Sequence, residues 1–283
     1  MMPTAMLLLC AAYFVLAALA VNLGYHRVLS HRAAVLAPWF ERLIITLGLP
    51  AGTPIQWAGN HRQHHAFTDR DGDPHSPLHG FWHSHVGWYI GMKHWLPCLA
   101  YALAGPVRTL IDGWHRPRSN QQHCHLAADI AADPYYRFVS RPAVYLLCAV
   151  THVAVFYGLA FLAWGGNGVA TLWVTQGIVY NLGDAIDSVG HLIGERPFPS
   201  RHLARNHWWL GYFTLGEWHA NHHQFPSSAN TGLFPGQFDG TYQMCVMLEA
   251  LGLAKNVKRV PPDVVQGLLA RGGAKDATVE GRF

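Results

Sequence analysis

Two stretches of this chain carry no Asp, Glu, Lys or Arg: residues 1–26, and the 41 residues 143–183. A helix that crosses a bilayer needs about 20 predominantly apolar residues, so the first stretch has room for one span and the second for two. Gly165-Gly166-Asn167-Gly168 is a turn signal inside the longer stretch. The expected spans are therefore 5–23, 143–164 and 169–186, the last two forming a helical hairpin. A signal peptide does not suit the first stretch, which lacks a basic leading segment and runs into a histidine motif rather than a cleavage site. Arg27 and Arg32 follow the first span, Arg137 and Arg141 precede the second, and Arg196, Arg201 and Arg205 follow the third, whereas the Gly-rich turn is uncharged. By the positive-inside rule the segments 26–142 and 187–272 are expected on the cytoplasmic side and the N-terminus outside. Segments 43–54 and 86–104 are apolar but too short or too interrupted to cross, and are expected as re-entrant or interfacial helices. One membrane domain would then cover 1–272, with a disordered polar tail at 273–283.

Charged residues make up 13% of the 283, about half the usual share of a soluble domain. With 51% hydrophobic residues the chain is too apolar for intrinsic disorder. Its five cysteines are scattered and never form C-x-x-C, so they do not make a disulfide framework. A net charge of +4 is too small and dispersed to argue for nucleic acid.

Histidine, at 20 residues, outnumbers the 16 carboxylates. Eight of these histidines fall in three groups: His26 and His31 in YHRVLSH, His61, His64 and His65 in NHRQHH, and His219, His222 and His223 in WHANHH. On a helix, H-x-x-H-H sets three imidazoles on a single face. His26 and His31 are five apart, off the face of an ideal α-helix, so the first span is expected to fray there. Neutral imidazole is the commonest side-chain metal ligand. Eight ligands exceed the four of a tetrahedral zinc ion, which points to two metals. Hydrolysis has no support from a Ser-His-Asp or G-x-S-x-G signature. A non-catalytic metal-binding or transport protein would line its spans with histidine, but only His152 lies mid-span.

The three boxes, in this order and with these gaps, resemble those of the membrane-bound acyl desaturases of the stearoyl-CoA desaturase type: H-x4-H, H-x-x-H-H and H-x-x-H-H. The linking segments DPHSPLHGFWHSHVGW (73–88) and ARNHWWLGYFTLGEWHANHH (204–223) resemble that family as well, and the likeness covers about residues 21–257. The resemblance implies an all-α, polytopic membrane enzyme with a cytoplasmic helical cap that holds a di-iron site. The implied reaction inserts a cis double bond, of delta-9 type, into a saturated fatty acyl chain carried as a CoA thioester or in a lipid of the bilayer. It consumes O2 and takes electrons from an external carrier, a ferredoxin, rubredoxin or cytochrome b5-like protein. A fatty acyl hydroxylase built on the same histidine cage is the alternative. No acid–base residue is expected to act catalytically beside the metals. The family's ninth histidine, in N-x-x-x-H, falls on Asp187-Ser188-Val189-Gly190-His191, which gives His191 a ligand role.

Departures from the family pattern carry further expectations. Asp187 stands where the family has Asn, and Asp184 where it has Trp. Ionisable residues near spans are costly and usually functional, so Asp187 is expected to ligate metal directly or through water, and Asp184 to orient a group around the ligands. In the family, Asn60 and the acids Asp69, Asp71 and Asp73 fall close to the boxes, so the resemblance implies that they hydrogen-bond around the cage. His75, His79, His83 and His85 are read as polar packing or solvent-facing, and a calcium loop over Asp69, Asp71 and Asp73 is rejected because Pro74 and Gly80 stand at its required Gly and Glu positions. Trp57 is a candidate for the acyl tunnel and Lys93 for acyl-CoA phosphate, but the basic residue expected just before the second box is Gly59. The family commonly has one more span ahead of the first box, so either that helix is lost here or the true start lies upstream.

Overall fold

Proline opens four of the longer helices: its fixed φ suits the first helical turn, where its missing N–H is not needed. It stands at the start of α2 (Pro38–Leu47), α3 (Pro54–Phe67), α4 (Pro106–His115) and α5 (Pro142–Asp187). At α3 the preceding Thr53 also accepts a hydrogen bond from Gln56 N at 3.3 Å, completing an N-cap. The computed structural model describes residues 4–270; the tail 273–283 lies outside the described residues. Among those residues the one strand pair is Val35–Leu36 with Ala254–Lys255, antiparallel, and everything else regular is helical.

The first helix, α1, runs from Thr4 to Ser30, and it does not fray at the first histidine box. From Ala18 to Ser30 it widens into a π-helix, and His31 N bonds His26 O at 3.2 Å. In an i→i+5 ladder, residues five apart share a face, so the spacing that would separate His26 and His31 on an α-helix brings their rings to 5.0 Å here.

Helix α5 breaks at Gly165, where φ is +58°. A straight helix would hold residues 157 and 176 about 28 Å apart; instead Tyr157 OH donates to Gln176 Oε1 at 2.7 Å. The two arms are therefore antiparallel, with the turn at the place the Gly-rich signal marks. Gly168 is required for their approach, because a Cβ there would meet Ala160 O at 2.2 Å. Tyr13 of α1 packs on both arms, against His152 and Phe156 of the first and Gln176 of the second. Outward, Leu8, Leu147, Leu159, Leu162 and Val174 are exposed. The apolar windows of α1 and α5 are only 22% and 11% buried, so these are not core helices of a soluble protein.

The remaining helices gather at the end of this bundle. Arg27, counted above as a flanking charge, is in fact 1% exposed and joins α1 to that region: its guanidinium donates to Asp239 Oδ1 and Gly216 O, each at 3.0 Å. Helix α4 lies along the hairpin, with Gly113 close against Ala149. Segments 43–54 and 86–104 do form short, non-crossing helical pieces.

Candidate metal centre

All nine expected histidines converge, and they sort into two sets. His26, His31, His61, His65 and His222 form one; His64, His191, His219 and His223 form the other; within each, the ring nitrogens lie within 4.8 Å of one another. Neither H-x-x-H-H box serves a single set. On α3, His61 and His65 join the five and the intervening His64 joins the four. On α7 (His219–Gln224) the split is inverted: His219 and His223 join the four and His222 the five. The π-turn of α1 then adds His26 and His31 to the five, and the short helix α6 (Val189–Leu192) adds His191 to the four.

The rings share one orientation. Nε2 atoms face one another at 2.9 Å (His26 and His222), 2.8 Å (His31 and His61), 3.2 Å (His64 and His223) and 2.8 Å (His191 and His219). Carboxylates hold the other nitrogen of several rings. His64 Nδ1 donates to Asp73 Oδ1 at 3.0 Å, and His191 Nδ1 to Asp69 Oδ2 at 3.1 Å. Glu217 stands between the sets, 3.4 Å from Nδ1 of both His26 and His219. This Nδ1–H to carboxylate pairing selects the tautomer whose Nε2 lone pair points inward, the usual support of a metal-binding histidine. Burial opposes ionisation of Glu217, yet its contacts with His26 and the hydrogen bond from His219 hold it well below the ordinary range. Burial also drives His61, His64, His65, His222 and His223 well below 6.5, so the rings are neutral at pH 7. Lone pairs turned toward one another repel unless a cation stands among them, so the donor set suits two metal ions.

The other expected residues divide. Asp69 bonds the cage as anticipated, also accepting from Leu203 N at 2.6 Å. Asp184 does not: its carboxylate takes Arg108 in two hydrogen bonds (2.6 and 2.9 Å) and Tyr89 OH at 2.6 Å, and touches no box histidine. Asn60 donates only to Asn120 O, at 3.4 Å. Asp187 lies in neither set, and its near neighbour is His75 Nδ1 at 3.8 Å. His75 packs against the cage. It is 2% exposed and stacks on His64 at 4.2 Å, while His85 bonds Ser188 and Asn181, and His79 is solvent-facing. Asp73 bonds His64 as expected of the acids near the second box, whereas Glu217 was not singled out; the available signal was a carboxylate two residues before a box histidine.

A cavity of about 220 Å³ leads to the cage. It begins among the helices at Tyr13 and His152 and ends against His26, His61 and His219. Trp57 lines it and stacks on His61 at 4.9 Å. Lys93 is exposed and outside it. Gly59 has no room for a side chain, since a Cβ would meet His123 O at 2.3 Å.

Apolar, outward-facing helices, a cavity between them and a paired imidazole cage at its end define a membrane-associated protein whose donor set suits two metal ions. A family profile described as fatty acid desaturase matches residues 3–231, and the chain belongs to that family, an oxidoreductase family acting on fatty acyl chains in membranes. It is 36% identical over 245 residues to delta-9 acyl-lipid desaturase 1 of Arabidopsis thaliana, covering 85% of this chain and 71% of that protein. It is 36% identical over 259 residues to an acyl-CoA 5-desaturase of Anemone leveillei (89% and 71%). To palmitoyl-monogalactosyldiacylglycerol delta-7 desaturase of Arabidopsis thaliana it is 34% identical over 252 residues, 87% of this chain but only 60% of that relative's length.

Proposed function

We propose that this protein is an O2-dependent desaturase that places a cis double bond in the middle of a saturated, lipid-bound acyl chain. The observation that carries the reading is the cavity: it joins the apolar bundle to the two histidine sets. His26, His31, His61, His65 and His222 would hold one iron, and His64, His191, His219 and His223 the other. Bound iron supplies the O2 activation that an unactivated methylene requires, chemistry a side chain does not provide. Overall, one saturated C–C unit, O2, two electrons and two protons become one C=C unit and two waters.

The chain's own residues do the rest. Tyr13, Phe14 and Leu16 offer apolar wall to the acyl tail, and Trp57 fixes the wall beside His61. Asp69, Asp73 and Glu217 keep Nε2 lone pairs aimed inward. The relatives differ in double-bond position and acyl carrier at similar identity, so likeness does not choose between them. A lipid carrier is favoured because Gly59 admits no basic side chain and Lys93 stands outside the cavity. We place three spans in a bacterial-type cytoplasmic membrane, with the cage on the cytoplasmic side, from the arginine distribution.

Expression in a host lacking its own desaturase, with a competent electron donor, tests this. Gas chromatography with mass spectrometry should show a new monoenoic acid in the lipids. A hydroxy acid instead would reassign the cage to hydroxylation, and an unchanged lipid profile would sink the proposal.

A further inference from the structure

The cavity is open along one flank. Helix α1 packs on the second arm of α5 over its first half, where Thr175 Oγ1 donates to Cys10 Sγ at 2.9 Å and Gln176 Nε2 to Tyr13 OH at 3.2 Å. Its second half, Ala18–Ser30, turns instead to α2, α3 and the helix Gly240–Ala250. Beyond Tyr13 the two helices therefore part, yet both go on lining the cavity, α1 through Ala17 and Val21 and the second arm through Val179, Gly183 and Ile186. The next tie from α1 goes elsewhere: Asn22 Nδ2 donates to Thr214 O at 2.5 Å, beside Phe213, which also lines the cavity. An apolar slot is left, bounded by Tyr13 at one end and Asn22 at the other. Of the residues that line the cavity, the exposed ones are Gly183 and Phe213, both at this slot. The surface around it faces lipid, since Val15, Val174 and Ile178 of the same two helices are exposed. Glycine weakens a helix interior, and neither a positive φ nor a close approach requires one here: a Cβ on Gly183 would meet nothing within 4 Å. What the missing side chain provides is clearance.

We propose that this slot is a lateral portal through which the acyl chain of a bilayer lipid enters the cavity, with Gly183 as the residue that keeps it open. The inference deepens the reading of a lipid-bound substrate and rests on it. A chain that slides sideways between two apolar helices exchanges one apolar surrounding for another. Its headgroup stays outside the bundle, so no polar group has to be stripped of its hydrogen bonds on entry.

The test uses the full-length, iron-loaded protein in phosphatidylcholine vesicles, part of whose lipid carries a photoreactive diazirine in mid-chain. On illumination the wild type should be labelled at Trp57, which lines the cavity beside His61; peptide mass spectrometry reads the adduct. Gly183→Trp, which fills the slot, should cut that labelling at least tenfold and lower desaturation of the vesicle lipid by a similar factor, with iron content and melting temperature retained. Gly183→Ala should change both less than twofold. Gly177→Trp puts the same bulk on the same arm, where a Cβ also meets nothing within 4 Å but does not line the cavity, and should leave both unchanged. Gly183→Leu repeats the comparison if the larger ring lowers the melting temperature. Undiminished Trp57 labelling in the folded, bulky Gly183 variants, equal loss in Gly177→Trp, or no labelling of Trp57 in the wild type would overturn the portal. Labelling that depends on Gly183, with no double bond formed even by the wild type, would instead overturn the desaturase reading and leave the portal standing.

Discussion

Two buried polar clusters border the same cavity, and they are built on opposite principles. The histidine cage turns nine ring nitrogens toward one another and keeps its carboxylates, Asp69, Asp73 and Glu217, on the outer Nδ1 side. The second cluster is closed on itself: Arg108 pairs with Asp184, Arg116 lies 3.2 Å from Asp112, and Tyr89 and Tyr101 donate to the two acids. Its guanidinium groups also lie over tyrosine rings, Arg108 at 4.8 Å from Tyr101 and Arg116 at 4.4 Å from Tyr89. Two positive and two negative charges cancel within it. A self-neutralised cluster holds helices together, whereas convergent donors without a partner mark a place for a ligand.

Removing a ligand tests the first half of that contrast, with the largest effect. His64→Ala opens the four-histidine set and His222→Ala the five, so each should lower iron from two per chain to about one and abolish desaturation. Elemental analysis beside the fatty-acid profile checks both. Two irons retained in either variant would show that the sets are not the metal sites.

Acid should separate the clusters next. In the metal-free protein, burial lowers the pKa values of His31, His61, His64, His65, His222 and His223, and takes His219 to about 4. The unfolded chain therefore binds more protons as pH falls below about 6.5. Their stabilising contribution is full above that value and is lost on acidification, by up to about 1.4 kcal/mol per pH unit for each imidazole. The melting temperature of the apoprotein should drop steeply from pH 7 to 5, and much less when iron is bound. A flat apoprotein profile would contradict the neutral, buried cage.

The closed cluster responds to a different change. Arg108→Ala leaves the Asp184 carboxylate without its partner inside the bundle, a loss of about 3–5 kcal/mol for breaking a buried pair. Replacing both, Arg108→Met with Asp184→Leu, should recover most of that stability because neither charge remains. Thermal unfolding in detergent reads both. A double variant as unstable as Arg108→Ala would mean that the pair does more than neutralise itself.

Much of this organisation was legible in the sequence, for physical reasons that differ by element. The hairpin was readable because Gly165 and Gly168 supply the turn and the close approach that other residues do not allow. The nine histidines were readable as a family motif, but their sorting was not. The period of α3 and α7 puts three rings on one face without saying which of two ions each ring serves. The spacing of His26 and His31 was itself a signal, since five residues suit a π-turn, but an α-helical expectation turned it into fraying. Asp184 was misplaced because its partner, Arg108, is 76 residues away, and a sequence shows a buried charge without showing what neutralises it.

The smallest predicted effects compare two aspartates near the four-histidine set. Asp69 accepts from His191 Nδ1 at 3.1 Å, so Asp69→Asn weakens the hold on one ligand's tautomer. Losing such a partner typically costs 10- to 100-fold in metal affinity. Asp187 touches the cage only through His75, at 3.8 Å. Asp187→Asn keeps the size of the side chain and removes only its ability to ionise, so iron should stay at two per chain and turnover should change by less than about threefold, roughly 0.7 kcal/mol on the usual scale of 1.36 kcal/mol per tenfold. Chelator titrations of the two variants, run side by side, make the comparison. Loss of one iron in Asp187→Asn, with Asp69→Asn unaffected, would reverse their roles and make Asp187 the tenth ligand.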